Sequence, residues 1–299
     1  MAEKQITDEN KLVIAISSRA LFNLDESHQI YKNKGVKAYA KHQQENEEVV
    51  LEPGVGFTLV KKLLALNSEK TPIDVILLSR NSADTGLRIF NSIEHYGLNI
   101  SRAAFTRGES THPFVGAFEA DLFLSSNYHD VQKALESGYA AASIVDSKSD
   151  NVHPSQLRIA FDGDAVIFSD ESERIFQEQG LEAFEKNEKQ SANIELKAGP
   201  FKSFLASLQK IQSTFPEENN PIRTALVTAR SAPSHKRVIH TMRQWGIRID
   251  EAFFLGGLDK GVFLREFAAD IFFDDQHQHC HSASQYVSTG HVPSGLKNK

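Results

Sequence analysis

Residues 77–127 align with residues 226–276 without a gap, at a constant offset of 149, and 14 of the 51 pairs are identical, against roughly three expected from background usage. "LLSRNSADTGLRIFNSIEHYGLNISRAAFTRG" lies over "LVTARSAPSHKRVIHTMRQWGIRIDEAFFLGG", and "FEADLFLSSN" over "FAADIFFDDQ". Gly97 falls on Gly246 and Asp121 on Asp270. The beginning repeats as well, at an offset of 145, with "LVIAISSRALFNLDES" over "LRIAFDGDAVIFSDES". Any two α/β units share a rhythm of strands and helices, but a gapless match of this length points to internal duplication. A chain built this way must fold as two similar units.

The elements inside each unit follow from hydropathy. Short apolar runs such as "LVIAISS", "DVILLS", "DLFLSS", "LRIAF", "TALVT" and "DIFFDD" alternate with helical patterns such as "GFTLVKKLLALN", "LRIFNSIEHYG", "FKSFLASLQKIQ" and "KRVIHTMRQWG". Continuous apolar strands between amphipathic helices predict parallel sheets covered on both faces. The expected class is therefore α/β. A polar stretch with a proline, "DSKSDNVHPSQ" at residues 146–156, reads as the linker, which gives units of residues 1–150 and 151–299. A second polar stretch, "EKNEKQSANIELK", reads as a surface insertion in the second unit. Residues 170–220 are expected to form a small helical cap that closes over substrate.

The copies agree where packing matters and differ where reactive groups stand. Asp162 lies over Ser17, Asp164 over Arg19, Lys260 over Thr111, and Asp274 and Asp275 over Ser125 and Ser126. Thr228 lies over Ser79, so both copies keep a hydroxyl there. Each of these segments follows an apolar run, and in parallel α/β sheets the strand ends form the crevice where ligands bind. Carboxylates are costly to place against a core without partners, so "FDGDAVIF" needs a reason for two of them. One can attack an electrophile and the other can exchange a proton with the leaving group. Two further carboxylates can bring in a hard cation with oxygen ligands, most naturally Mg2+. With a lysine and a threonine for oxyanions, the set suits phosphoryl transfer.

The set resembles the haloacid dehalogenase-like phosphatases. "AFDGDAVIF" is similar to their first motif, "ALVTAR" to the second, Lys260 in "GGLDKG" to the third and "IFFDDQ" to the acidic fourth, in the family's order. The stretches "RIAFDGDAVIFSDESE", "LLSRNSADTGLRIFNSIEHYGL" and "FFDDQ" further resemble the cytosolic type I 5′-nucleotidases. The resemblance implies two Rossmann-type, haloacid dehalogenase-like units, the second catalytic and the first degenerate. It implies Asp162 as a nucleophile that becomes an aspartyl-phosphate, and Asp164 as the acid and base. Thr228 and Lys260 would hold phosphoryl oxygens. Mg2+ would be bound by Asp162, the Asp164 main chain and one or both of Asp274 and Asp275. The implied substrate is a nucleoside 5′-monophosphate such as AMP, IMP or a deoxynucleotide.

Arg230 and Asp170 are weaker candidates for substrate contact. In the first copy, Arg19 and Arg107 leave two readings open: a retired site kept for packing, or a basic pocket that still takes an anion. "HQHCHS" at residues 277–282 is too tightly spaced for a familiar zinc module. The net charge of −6 does not indicate a nucleic-acid groove. A single cysteine, Cys280, fits a reducing compartment, and no run reaches membrane-spanning length, so a cytoplasmic enzyme is expected. Homo-oligomerisation is left open. The rival readings are a phosphatase of another small phosphomonoester and a nucleotide-binding regulator without turnover.

Overall fold

The computed structural model describes residues 11–69, 71–145, 153 and 155–298; most of the expected linker, residues 146–152 and 154, lies outside them. Ten strands form one sheet: β1 (Leu12–Ser17), β2 (Ile73–Ser79), β3 (Arg102–Phe105), β4 (Leu122–Ser125), β5 (Ala141–Val145), β6 (Leu157–Phe161), β7 (Ile222–Thr228), β8 (Glu251–Phe254), β9 (Ile271–Asp274) and β10 (Thr289–His291). Their order is β3-β2-β1-β4-β5-β10-β9-β6-β7-β8. Read inward from either edge, the two halves follow one scheme, with β1 and β6 each flanked by two parallel neighbours.

Among the described residues, β5 and β10 form the single antiparallel pair, with Val145 opposite Thr289 and Ser143 opposite His291. The remaining pairs are parallel. The strands of the two halves therefore run in opposite directions, and the register brings the end of β4 level with the end of β9, from Ser125 through Ser143 and His291 to Asp274.

Alternation within the strands sorts the core. Leu12, Ile14 and Ile16 of β1 join Phe161, Phe204 and Phe273 in one apolar cluster that spans both halves. Val13 and Ala15 face the other way into a cluster of the first half, and Ala160 and Phe272 into a separate cluster of the second. Side chains at i and i+2 share a face, so strands buried on both faces need the unbroken apolar runs seen in the sequence.

Two helices cross between the halves. Phe57–Ala65 packs against β6, and Lys202–Gln212 against β1. Lys62 Nζ lies 2.6 Å from Asp270 Oδ1 and also donates to the carbonyls of His153 and Gln156. Ser207 Oγ donates to Asp121 Oδ1 at 2.6 Å. The other oxygens of these aspartates accept from Val13 N and Arg158 N, each at 2.8 Å. Because the Asp270 side chain is fully buried, Lys62→Met is expected to cost about 3 kcal/mol by stranding a charge. Ser207→Ala should cost only about 1 kcal/mol. Denaturant midpoints measure both, and equal small effects would contradict the account.

Two expectations need correction. The cap does not extend over all of residues 170–220, because Phe204, Leu205, Leu208 and Ile211 of Lys202–Gln212 are buried in the core. Nor is the polar stretch an insertion confined to the second half. Helix Glu171–Gln190, broken at Gly180 (φ 81), has a counterpart in Asp25–Glu45, broken at Gly35 (φ 78). Both breaks lie in the left-handed region that glycine tolerates. Among the described residues, no helix is long and apolar enough to cross a membrane.

Candidate active site

The carboxyl ends of β6, β7 and β9 converge at one sheet edge. Asp162 follows β6, and its backbone N–H donates to Phe273 O at 2.8 Å, tying it to β9. The chain then turns through Gly163–Ile167, with Ala165 at φ 60. A Cβ on Gly163 would stand 3.3 Å from Thr228 Oγ1, so the glycine between the aspartates leaves room for the hydroxyl at the end of β7. Thr228 Oγ1 accepts from the Arg230 N–H at 3.2 Å.

Lys260, at the start of the helix Gly261–Phe267, is buried between two carboxylates. Its Nζ lies 2.8 Å from Asp162 Oδ1 and 2.6 Å from Asp274 Oδ2. Asp274 Oδ1 also accepts from Gln276 N at 2.8 Å, and His279 Nδ1 lies 3.2 Å from Oδ2. Among the described residues, ligand atoms of Asp162, Asp274 and Asp275 come within 4.8 Å of one another. Both Asp275 carboxylate oxygens are buried without a hydrogen-bond partner. Buried polar atoms are ordinarily satisfied, so this orphaned carboxylate fits the seat of a hard cation with oxygen ligands.

The charges are consistent with such a seat. Burial, with Asp162, Asp274 and Glu173 nearby, pushes the Asp275 carboxyl up to about 9. Burial raises Asp162 as well, to about 7, with Lys260 opposing. For Asp274, burial works against ionisation, but Lys260 and His279 outweigh it and hold the group near 2. Burial disfavours the Lys260 charge, but Asp162 and Asp274 overcome it and raise its pKa. The lysine thus balances only part of a three-carboxylate cluster.

The structure brings Asp162, Asp164, Thr228, Arg230, Lys260, Asp274 and Asp275 to one edge, and places Asp170 at the head of helix Glu171–Gln190, paired with Arg174 at 3.1 Å. Arg230 pairs with a carboxylate of the site. It is buried, and its Nε and one terminal nitrogen grip both oxygens of Asp164 at 2.8 and 2.6 Å. Arg19 pairs weakly with exposed Asp25 at 3.4 Å, and Arg107 is exposed with φ 52. They follow β1 and β3, and β4, β5, β10 and β9 lie between β1 and β6, so neither joins the group around Asp162. The first half's aligned hydroxyls are instead bonded locally. Ser126 N donates to Ser17 Oγ at 3.2 Å, and Thr111 Oγ1 donates to Asp130 Oδ2 at 3.2 Å.

The histidine cluster forms the short helix His277–Ala283 and is not part of the carboxylate group that could hold a metal. A cavity of about 390 Å³ lies elsewhere, lined by Val238, Met242, Ile247 and Phe254. It contains none of the carboxylates and does not mark the chemistry.

Several site residues escaped the sequence reading. Glu188, from helix Glu171–Gln190, receives the remaining Arg230 terminal nitrogen at 2.7 Å, an Arg237 nitrogen at 3.0 Å and Ser172 Oγ at 2.9 Å. His291 Nε2 and Asn298 Nδ2 lie 2.9 and 2.8 Å from the Asp275 carbonyl, and Ser294 Oγ donates to the Ala165 carbonyl. The C-terminal segment thus braces the metal-capable turn. Extending the 145-residue offset would have placed Glu188 over Gln43 and exposed one more charged substitution.

Sheet and site together define an α/β protein with a carboxylate centre suited to a hard cation. The sequence model of the 5′-nucleotidase family, described as 5′-nucleotidase, matches residues 4–299, so the chain belongs to that family. It is 40% identical over 293 residues to human (Homo sapiens) cytosolic 5′-nucleotidase 1B, covering 93% of this chain and 48% of that protein. The chain therefore spans about half the length of this relative. No solved structure matches.

Proposed function

We propose that the chain hydrolyses nucleoside 5′-monophosphates to nucleoside and phosphate, through an aspartyl-phosphate on Asp162, with Mg2+ as cofactor. The observation that carries this reading is the buried Asp162–Lys260–Asp274 arrangement beside the unpartnered carboxylate of Asp275. Family membership and the name of the human relative support the substrate class.

Asp162, Asp274, Asp275 and the Asp164 main chain would hold the cation, which supplies positive charge to the phosphoryl oxygens. The Asp162 carboxylate attacks phosphorus as the bond to the 5′ oxygen breaks. Asp164 gives that oxygen a proton, then takes one from the water that cleaves the aspartyl-phosphate. Lys260 Nζ and Thr228 Oγ1 donate to phosphoryl oxygens, as positively charged and hydroxyl donors do at developing charge.

In this reading the halves are haloacid dehalogenase-like units, residues 1–150 and 151–299, derived from an ancestral duplication. Its support includes the matched order of strands and the matched bonds at Asp121 and Asp270. The first unit is degenerate: Ser17 and Arg19 replace the aspartates. Helix Glu171–Gln190 is the cap element, and the enzyme works in the cytoplasm.

A substrate panel tests the function. Nucleoside 5′-monophosphates should exceed sugar phosphates in kcat/KM by at least about 10-fold, equivalent to about 1.4 kcal/mol of transition-state binding. Equal rates would favour a general phosphomonoesterase, and binding without phosphate release under Mg2+ would favour a regulator.

A further inference from the structure

Arg230, Glu188 and Arg237 form a buried chain of alternating charge that ends on Asp164. Arg230 grips both Asp164 oxygens and donates to Glu188 Oε2. Glu188 Oε1 accepts from Arg237 and Ser172. Arg237 Nε is anchored on the Ile194 carbonyl at 2.9 Å, and the Arg230 guanidinium lies 5.7 Å from the centre of the Phe184 ring. Arg230, Glu188 and Arg237 are each at most 5% exposed.

The first half shows which members of this chain the fold requires. Ser27 donates to Gln43 Oε1 at 3.0 Å, as Ser172 does to Glu188. Arg88 Nε donates to the Val49 carbonyl at 2.8 Å, as Arg237 does to Ile194. Serine and anchoring arginine are thus present in both copies. Where the second half has Asp164, Arg230 and Glu188, the first has Arg19, Asn81 and Gln43. A neutral amide at the glutamate position satisfies the serine and comes within 3.4 Å of the arginine. The first half thus builds its corner without a charge at this position, with Gln43 Nε2 left buried and unpartnered. The charge on Glu188 occurs together with Arg230 and Asp164.

We propose that Glu188 is a positioning residue for the reaction: it fixes the Arg230 guanidinium, which in turn fixes the Asp164 carboxyl at the leaving-group side. This rests on the function proposed above. A bidentate arginine sets the plane of a carboxylate as well as its distance. An arginine held at one end only would leave that plane free. Glu188 lies on the helix proposed to cap the site, so the same contact joins cap position to the acid and base.

Glu188→Gln and Arg230→Lys, singly and together, test the inference in the full chain with Mg2+, using a nucleoside 5′-monophosphate. Glu188→Gln should fold, since the first half packs with glutamine there, and Arg230→Lys gives a second route to the same clamp. Each single change should lower kcat by about 10–100-fold, the usual cost of losing an orienting partner, with KM within about twofold because ground-state binding is untouched. The double variant should be no slower than the slower single variant, since the pair acts as one unit. A rise in KM at unchanged kcat would mean that Arg230 grips substrate and would overturn the inference. So would unchanged kcat in Glu188→Gln, or losses that multiply in the double variant. Wild-type protein that is folded but inactive on nucleotides would overturn the proposed function itself, an outcome separate from failure of the clamp.

Discussion

Asp162→Asn should reduce nucleotide turnover by at least about 10³-fold while leaving the fold in place, because an amide cannot act as the attacking carboxylate and residual catalysis comes only from binding and charge. The backbone N–H of residue 162 still donates to Phe273 O, so the turn keeps its tether. Lys260 retains Asp274 at 2.6 Å, so no buried cation is stranded. Burial already opposes the Asp162 charge, so the neutral amide removes a desolvation cost, and metal-free stability should not fall. Steady-state phosphate release and a melting curve check both parts. Near-normal turnover in a folded variant would refute the assignment.

Lys260→Met should act in the opposite sense on stability. Methionine keeps much of the apolar stem and removes the charge that sits between Asp162 and Asp274. Breaking a buried pair costs about 3–5 kcal/mol, and Asp275 already lacks a partner. The expected loss in chelator is about 3 kcal/mol, relieved in part by millimolar Mg2+, because a ligand that binds only the folded state adds about 2.7 kcal/mol at 100 times its dissociation constant. Turnover should fall about 10²–10³-fold through loss of a donor to the phosphoryl group. Denaturation with and without chelator, paired with kcat, measures this. Unchanged stability in chelator would show that the lysine does not balance the cluster, and stability no higher with Mg2+ than in chelator would count against the cation seat.

Much of the site was legible because its residues sit at the ends of apolar runs. "LRIAF" is β6 residue for residue, and the aspartates follow it. "TALVT" ends at Thr228, the last residue of β7. Only 14 positions separate Lys260 from Asp274, yet the short helix Gly261–Phe267 returns the chain so that the two side chains meet.

The junction between the halves was not legible. β10 has three residues, and its antiparallel pairing with β5 depends on how two finished units meet, which local hydropathy does not encode. Gly290 leaves space that a Cβ would close against the Phe273 ring at 2.6 Å, a constraint visible only once β9 and β10 are adjacent. Arg230 illustrates another limit. Its position beside Thr228 identified it, but whether it faces substrate or Asp164 depends on Glu188, 42 positions away. How far Arg19 and Arg107 lie from the second half's site likewise depends on the order of strands across the junction.

The most direct test is to trap the covalent intermediate. Enzyme turning over a nucleoside 5′-monophosphate with Mg2+ is quenched into borohydride, which reduces an acyl phosphate on aspartate to homoserine, and the digested peptides are weighed. The account predicts homoserine at position 162, in the peptide containing "FDGDAVIF", and at none of positions 164, 274 or 275, with no such product in Asp162→Asn. Reduction at another aspartate, or no reduced residue anywhere in enzyme shown to be turning over, would contradict it.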